Sequence, residues 1–347
     1  MKNYLYILFI GLSILLQGQT APSYYQNTDL TLEGNELKQA LSYLISSTHD
    51  YTVSYNELWS ILQQTDLDPD NTNNVLLIYG WDDNNSDYID DYSRNKYATC
   101  GNGNACTNLT WNREHVYPRS LDGSNSHNSG PTADPHMLRA SDVAMNGRRD
   151  NRLFAGGSGV ASYITSNGDF FPGDNWKGDV ARIIMYMYVR YGNQWHPNFV
   201  GVGSNSYHQD MPDIFLQWNA EDPVSEYEIN RNIILEPIQG NRNPFIDNPY
   251  LATIIWGGPE AENTWPETLS VSELVSKDII QVYPNPTYDY INISGTNSEN
   301  QIGVYNIHGQ LIKVLNNENK VHLPEQGMYI IQVKDGNEKT SFKVIRK

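Results

Sequence analysis

The sequence has few cysteines, a shortage of basic residues, and no long apolar segment beyond its N-terminus. Lys and Arg number 23 against 40 Asp and Glu, and the formal charge of −17 argues against binding nucleic acid over the whole surface. A local basic patch stays compatible with that charge. No later segment could span a bilayer, so we expect no transmembrane segment in the mature chain. Cys100 and Cys106 suit a small disulfide loop, whereas a zinc site would need more ligands nearby.

The N-terminus has the pattern of a secretory signal. One lysine precedes an apolar run from Leu5 to Leu16, and small and polar residues follow the run. This pattern predicts a signal peptide over residues 1–20 and therefore export of the chain. A disulfide is consistent with that destination, because disulfides persist in oxidising compartments.

The pattern of apolar residues changes along the chain and predicts an α+β protein. Helical spacing is found in "ELKQALSYLISS", "NELWSILQQT" and, most clearly, in "GDVARIIMYMYVRYG". Short alternating strands with turn signals begin near Ile279. We therefore expect a mostly helical domain over residues 21–260, a linker over 261–278 and a small all-β sandwich over 279–347.

The stretch "WNREHVYPRS" places Glu114 directly before His115, with an arginine on each side of the pair. Such a cluster could be a salt-bridged surface loop, or a metal ligand beside a general base. A second stretch, "DPHMLRASDVAMNGRRDN", reads as a strand followed by a helix that Ser141 and Asp142 cap. A strand, a loop, a second strand and a helix would bring Glu114, His115 and Asn146 together.

The residue types in these two stretches suit phosphodiester hydrolysis. Glu114 and Asn146 offer the hard oxygen ligands that a hydrated Mg²⁺ prefers, with Mn²⁺ or Ca²⁺ as other candidates. His115 can take a proton from an attacking water, and Asp134 is a plausible partner for its far ring nitrogen. Arg149 could hold a phosphate oxygen. Together they predict a base, a metal, an orienter and an anion clamp.

The chain resembles the bacterial endonuclease I family of nucleases, which carry the ββα-metal, or His-Me finger, site. The resemblance covers roughly residues 35 to 257 and includes the two stretches above, "FFPGDNWKGDVARIIMYMYVRYG" and "WNAEDPVSEYEINRNIILEPIQGNRNPFIDNPYLATIIW". It implies that His115 is the general base and that Glu114 and Asn146 bind the divalent ion. It also implies roles for Arg149 at a phosphate and for Asp134 beside His115. The chain departs from the family pattern at flanking positions, namely Met137, Arg148 and Asp150.

Further arginines are candidate contacts to the phosphate backbone, although each could equally form a surface salt bridge. They are Arg113, Arg119, Arg139, Arg148 and Arg152.

The C-terminal segment resembles the sorting domain of proteins exported by the type IX secretion system. The resemblance rests on "VYPNPTYDYINIS", "VYNIHGQLI", "GMYIIQVKDG" and "FKVIRK". It implies passage across the outer membrane, with the type IX machinery as a partner, and a location in the extracellular space or on the outer cell surface. A small carbohydrate-binding or spacer sandwich is the alternative.

The sequence therefore predicts a secreted, monomeric, magnesium-dependent endonuclease with little sequence preference. Its substrate would be DNA, with RNA as a second candidate, and its products would carry 5′ phosphates. Two alternative functions stay open. The many acids, Trp and Tyr would suit a glycoside hydrolase with paired carboxylates. The sorting segment and acidic surface would suit a surface-binding protein without catalytic activity.

Overall fold

A computed structural model describes residues 20–121, 129–269, 280–296, 300–307, 309–335 and 338–347. All of the predicted signal peptide before Thr20 and much of the predicted linker lie outside these residues. The chain divides into two compact units, Met1–Ser270 and Val271–Lys347. Within the ranges just given, no helix is long and apolar enough to cross a membrane.

The first unit combines helices with short pairs of antiparallel strands. Its helices are α1 Gly34–Ser47, α2 Leu58–Thr65, α3 Val143–Arg149, α4 Lys177–Tyr191, α5 Asp213–Glu221, α6 Glu226–Gln239, α7 Pro244–Asp247, α8 Tyr250–Trp256 and α9 Pro266–Leu269. Its strands are β1 Asn74–Leu76, β2 Ser93–Asn95, β3 Trp111–His115, β4 Leu138–Asp142, β5 Tyr163–Ile164 and β6 Phe170–Phe171. They pair as β1–β2, β3–β4 and β5–β6.

Helix α4 lies in the middle of the core of the first unit. It contacts α1, α5 and α7, and its residues from Gly178 to Val189 are all buried. The predicted helical spacing accounts for its apolar face, and two buried charged residues of the helix form ion pairs at 2.7 Å, Asp179 with Arg139 and Arg182 with Glu228. Trp265, which the sequence places in the linker, is also buried in this core.

The pair β3–β4 and helix α3 follow one another as predicted. Trp111 pairs with Asp142 and His115 pairs with Leu138 in an antiparallel register. The second strand begins at Leu138, because the Met137 amide donates to the Asp134 carbonyl in a turn just before it. Asp142 caps α3 as predicted, because its Oδ1 accepts hydrogen bonds from the amides of Ala144 and Met145, at 2.7 and 2.8 Å.

The second unit is the expected all-β module. Its strands are β7 Gln281–Tyr283, β8 Tyr290–Ser294, β9 Asn300–Asn306, β10 Leu311–Asn316, β11 Lys320–His322, β12 Gly327–Asp335 and β13 Glu338–Arg346. They form two antiparallel sheets, in the orders β10-β9-β12-β13 and β11-β8-β7. Alternate residues such as Ile291, Ile302 and Ile331 from both sheets form one apolar core, which is the packing of a sandwich.

Candidate active site

A cleft of about 270 Å³ opens where β3 lies beside α3. Glu114, His115 and Asn146 all line it, so the structure brings together the three residues on which the predicted chemistry depends. The remaining lining residues are Arg113, Pro118, Arg119, Ser120, Gly147, Asp150 and Asn151.

Glu114 is a buried carboxylate at the base of the cleft, only 3% exposed. Its Oε1 accepts a hydrogen bond from the Tyr79 hydroxyl at 3.1 Å and lies 3.7 Å from Nε of Arg149. Burial raises the pKa of Glu114 to about 7, and the positive charge of Arg149 partly offsets that effect. The carboxylate therefore changes its charge near neutral pH, which is unusual for a glutamate.

The His115 imidazole is held on one edge and on one face. Its Nε2 lies 2.9 Å from the carbonyl oxygen of Thr132, and a carbonyl can only accept, so Nε2 carries the proton. That leaves Nδ1 as the basic nitrogen. The Tyr55 ring stacks on the imidazole, with 5.6 Å between centroids and 18° between planes. Burial, together with Arg119, Arg113 and Arg149, lowers the pKa of His115 to about 3, so the ring is neutral.

Asn146 presents an amide oxygen to the same cleft. Its Nδ2 donates to Oδ1 of Asn112 at 2.8 Å, and this bond turns the amide so that Oδ1 is available to a ligand. Glu114 and Asn146 thus offer two hard oxygen donors, which fits a divalent cation that keeps most of its waters. Among the described residues, no group of three or more His, Cys, Asp or Glu side chains could hold a metal. A cation here would therefore depend on one carboxylate, one amide and water.

The expectation that Asp134 orients His115 is wrong, because Thr132 provides that contact through its carbonyl. Asp134 is buried and belongs to a separate polar network. It accepts hydrogen bonds from the His136 amide, the hydroxyls of Tyr186 and Tyr191, and Nε2 of Gln239.

Two of the arginines expected to bind phosphate are instead buried. Arg139 is 1% exposed and pairs with Asp179 at 2.7 Å. Arg149 is fully buried, and its guanidinium donates to the carbonyls of Val116 and Asp150, both at 2.9 Å. Neither can meet a polyanion without a rearrangement. The prediction that Arg139 and Arg149 contact phosphate is therefore wrong. Arg149 instead offsets the negative charge of Glu114.

The other arginines lie nearer to solvent. Arg113 and Arg119 line the cleft and are partly exposed. Arg148 is exposed on α3, and Arg152 is partly exposed and donates to the Arg148 carbonyl at 3.1 Å. Positive charge therefore collects at the cleft and at the end of α3 in an otherwise acidic protein.

Cys100 and Cys106 form a disulfide. The contacts that sequence reasoning missed are those of Tyr55, Tyr79, Asn112 and Thr132. A backbone carbonyl such as that of Thr132 leaves no mark in the sequence, and Tyr55 lies 58 residues before Arg113. Only Asn112 had a signal in the sequence that could have identified it, because it lies two residues before Glu114 and alternation along β3 places both side chains on the same side.

Comparison with known proteins matches both units. The family model of Endonuclease I matches residues 33–250, and that of the secretion system C-terminal sorting domain matches residues 281–347. An extracellular ribonuclease of Bacillus subtilis (strain 168) is 39% identical over 265 residues, covering 71% of this chain and 84% of the relative. An extracellular ribonuclease of Bacillus amyloliquefaciens is 39% identical over 236 residues, covering 64% of this chain and 74% of the relative.

A weaker similarity is found to the solved structure of PorZ from Porphyromonas gingivalis, a surface component of its type IX secretion system. It covers 22% of this chain and 12% of that chain at 19% identity, with a TM-score of 0.19.

The match over residues 33–250 spans more than half of the chain, and it confirms the resemblance seen in the sequence. The sorting domain and the two extracellular relatives place the protein in the extracellular space or on the cell surface, with type IX secretion as the route that the domain implies. The chain is a secreted nuclease and belongs to the endonuclease I family.

Proposed function

We propose that the protein is a divalent-cation-dependent endonuclease that hydrolyses phosphodiester bonds and leaves 5′ phosphates. The observation that carries this proposal is the meeting of Glu114, His115 and Asn146 at one cleft between β3 and α3. The order of elements also supports the proposal of a ββα-metal site, because β3 and β4 are followed by α3, with His115 and Glu114 on the first strand and Asn146 on the helix.

His115 acts as the general base. The Thr132 carbonyl fixes the tautomer, so Nδ1 accepts a proton from the attacking water. As the water oxygen bonds to phosphorus, the bond from phosphorus to the 3′ oxygen breaks, and the leaving oxygen takes a proton from solvent. A phosphate docked beside Arg113 and Arg119 offsets the charges that depress the pKa of His115, and so raises its basicity when substrate is bound.

Glu114 and Asn146 would hold the cation, with Mg²⁺ as the first candidate and Mn²⁺ or Ca²⁺ as others. Such an ion supplies positive charge to the developing oxyanion and to the leaving oxygen. Tyr79 orients the carboxylate of Glu114 through its hydroxyl, and Asn112 orients the amide of Asn146. These two contacts keep both oxygen donors directed at the cleft.

The substrate is nucleic acid held through its backbone. Arg113 and Arg119 line the cleft as partly exposed cations, and contacts of this kind carry no sequence information. We therefore propose little sequence preference. The two relatives are named as ribonucleases, which favours RNA as one substrate, and backbone contacts would also admit DNA.

The test is digestion of plasmid DNA and of a structured RNA by the full chain, with Mg²⁺ or with excess EDTA. We expect cleavage with Mg²⁺, no cleavage with EDTA, and a loss of at least 10²-fold in His115→Ala, the usual scale for a general base. His322→Ala, an exposed histidine of the second unit, is the matched control and should cleave as the parent does.

Other outcomes would favour a different mechanism or a different function. Full activity in EDTA would remove the cation from the mechanism, and full activity in His115→Ala would remove the base. A chain that binds nucleic acid without cutting it under any of these conditions would favour a binding protein. Labelling of the product ends by a kinase, before and after phosphatase treatment, tests for the 5′ phosphate.

A further inference from the structure

Within the part of the chain that the structure describes, Tyr55 is the one aromatic residue whose ring contacts both the proposed base, His115, and an arginine of the cleft, Arg113. Its ring stacks on the His115 imidazole, and the guanidinium carbon of Arg113 lies 3.6 Å from its centroid. Its backbone carbonyl also accepts a hydrogen bond from Nη1 of Arg113. The same residue therefore touches Arg113 through both its ring and its backbone.

The geometry of β3 explains how one ring can reach both side chains. Arg113 and His115 are two residues apart on a strand, so they project from the same face, separated by roughly 6.5 Å along the strand. A flat ring is of a size to pack against both. Glu114 lies between them in the strand and lines the same cleft as both.

Tyr55 is itself held in place. It lies in the turn before α2, where Glu57 accepts hydrogen bonds from the Ser54 amide at 2.8 Å and from the Ser54 hydroxyl at 2.5 Å. The Trp59 ring lies 4.0 Å from the guanidinium carbon of Arg113 and secures that side chain a second time. The Tyr55 hydroxyl makes no hydrogen bond within the described part of the chain, so the ring itself provides the contacts.

We propose that Tyr55 is a positioning residue, which sets the plane of the His115 imidazole and holds Arg113 at the cleft. The hydrogen bond from Nε2 to Thr132 fixes one point of the imidazole but leaves the ring able to turn about the line from Cβ to Nε2. The flat face of Tyr55 limits that rotation and so directs Nδ1. This inference rests on the proposed function, in which Nδ1 accepts the proton.

The test compares Tyr55→Leu and Tyr55→Phe in steady-state cleavage of a short fluorescent oligonucleotide with Mg²⁺. In Tyr55→Leu we expect kcat to fall about 10²-fold, the scale of a small misplacement of a catalytic group, and KM to rise because Arg113 loses its support. Tyr55→Phe keeps the ring and should stay within about threefold of the parent in both constants, since no contact of the hydroxyl is lost.

Tyr250→Leu is the matched control, because Tyr250 is a partly buried tyrosine of α8 that does not line the cleft. Melting temperatures of all variants are measured alongside. If Tyr55→Leu does not fold, Tyr55→Met takes its place, since it keeps apolar volume but has no flat face. A general structural role would lower the melting temperature of Tyr55→Leu without separating it from the control in kcat.

The outcomes are distinguishable from failure of the proposed function. If the parent does not cleave with Mg²⁺, or if His115→Ala is as active as the parent, the proposed function is wrong. If both behave as expected and Tyr55→Leu matches Tyr250→Leu in kcat and KM, the positioning role alone is wrong. Loss of activity in Tyr55→Phe equal to that in Tyr55→Leu would also overturn it, because the hydroxyl and not the ring would then matter.

Discussion

We expect the cation affinity of the free protein to rise with pH through about 7, because the proposed ligand Glu114 must lose its proton to bind. Burial raises the pKa of its carboxyl from 4.5 to about 7. In the cation-free protein, the same shift stabilises the fold below pH 4.5, and that contribution is lost as the pH rises through about 7. Cation binding has the opposite dependence, since it needs the ionised form.

The magnitude follows from the fraction that is ionised. At pH 6, one unit below this pKa, about nine carboxyls in ten are protonated, so the apparent affinity should be roughly tenfold weaker than at pH 8. A glutamate with an ordinary pKa of 4.5 would change the affinity by only a few per cent over the same range. His115 does not contribute, because its pKa of about 3 keeps it neutral throughout.

The assay is isothermal titration calorimetry of Mn²⁺ or Mg²⁺ into the parent without nucleic acid, at pH 6, 7 and 8. Two buffers of different ionisation heat should report close to one proton released per cation at pH 6 and almost none at pH 8. Glu114→Gln keeps an oxygen donor without the titration, so its binding should be weaker and independent of pH. A parent affinity that is equal at pH 6 and pH 8 would refute the reasoning.

Three further perturbations separate the roles of individual residues. Cleavage should fall steeply between low and physiological salt, and less steeply in Arg119→Gln, because fewer phosphate contacts release fewer counterions; an equal slope in both would contradict this. Arg139→Met should destabilise the fold by about 3–5 kcal/mol in urea denaturation, since it leaves Asp179 buried and unpaired, while KM of the folded fraction stays unchanged. Asn112→Ala should weaken cation binding without changing the melting temperature by more than a few degrees, because Asn146 loses the bond that orients its amide.

Local patterns were sufficient to predict the elements that carry the site. The stretch "WNREH" predicts a strand that carries Glu114 and His115, and Asp142 followed by "VAMNGRR" predicts a capped helix. Both signals depend on neighbouring residues, and the structure contains both elements. The place of Asn146 follows from them, since a short antiparallel pair leaves the next helix little choice of position.

Contacts between residues far apart in sequence could not be predicted in this way. Arg139 looks like other arginines in the sequence, and it is buried because Asp179, 40 residues later, approaches it from α4. Asp134 is buried in the core rather than beside His115, where it accepts a hydrogen bond from Gln239, 105 residues away. The sequence could show that each of these groups needs a partner, but not which partner the packing of α4 and α6 would provide.

The most direct test of the central claim is the position of the cation itself. Crystals of His115→Ala grown or soaked with Mn²⁺ should give an anomalous peak within roughly 2.0–2.6 Å of both the Glu114 carboxylate and the Asn146 Oδ1. Glu114→Gln should weaken the peak, and excess EDTA should remove it. A saturating Mn²⁺ soak that leaves this cleft without a peak, or that places the ion out of reach of either oxygen, would contradict the account.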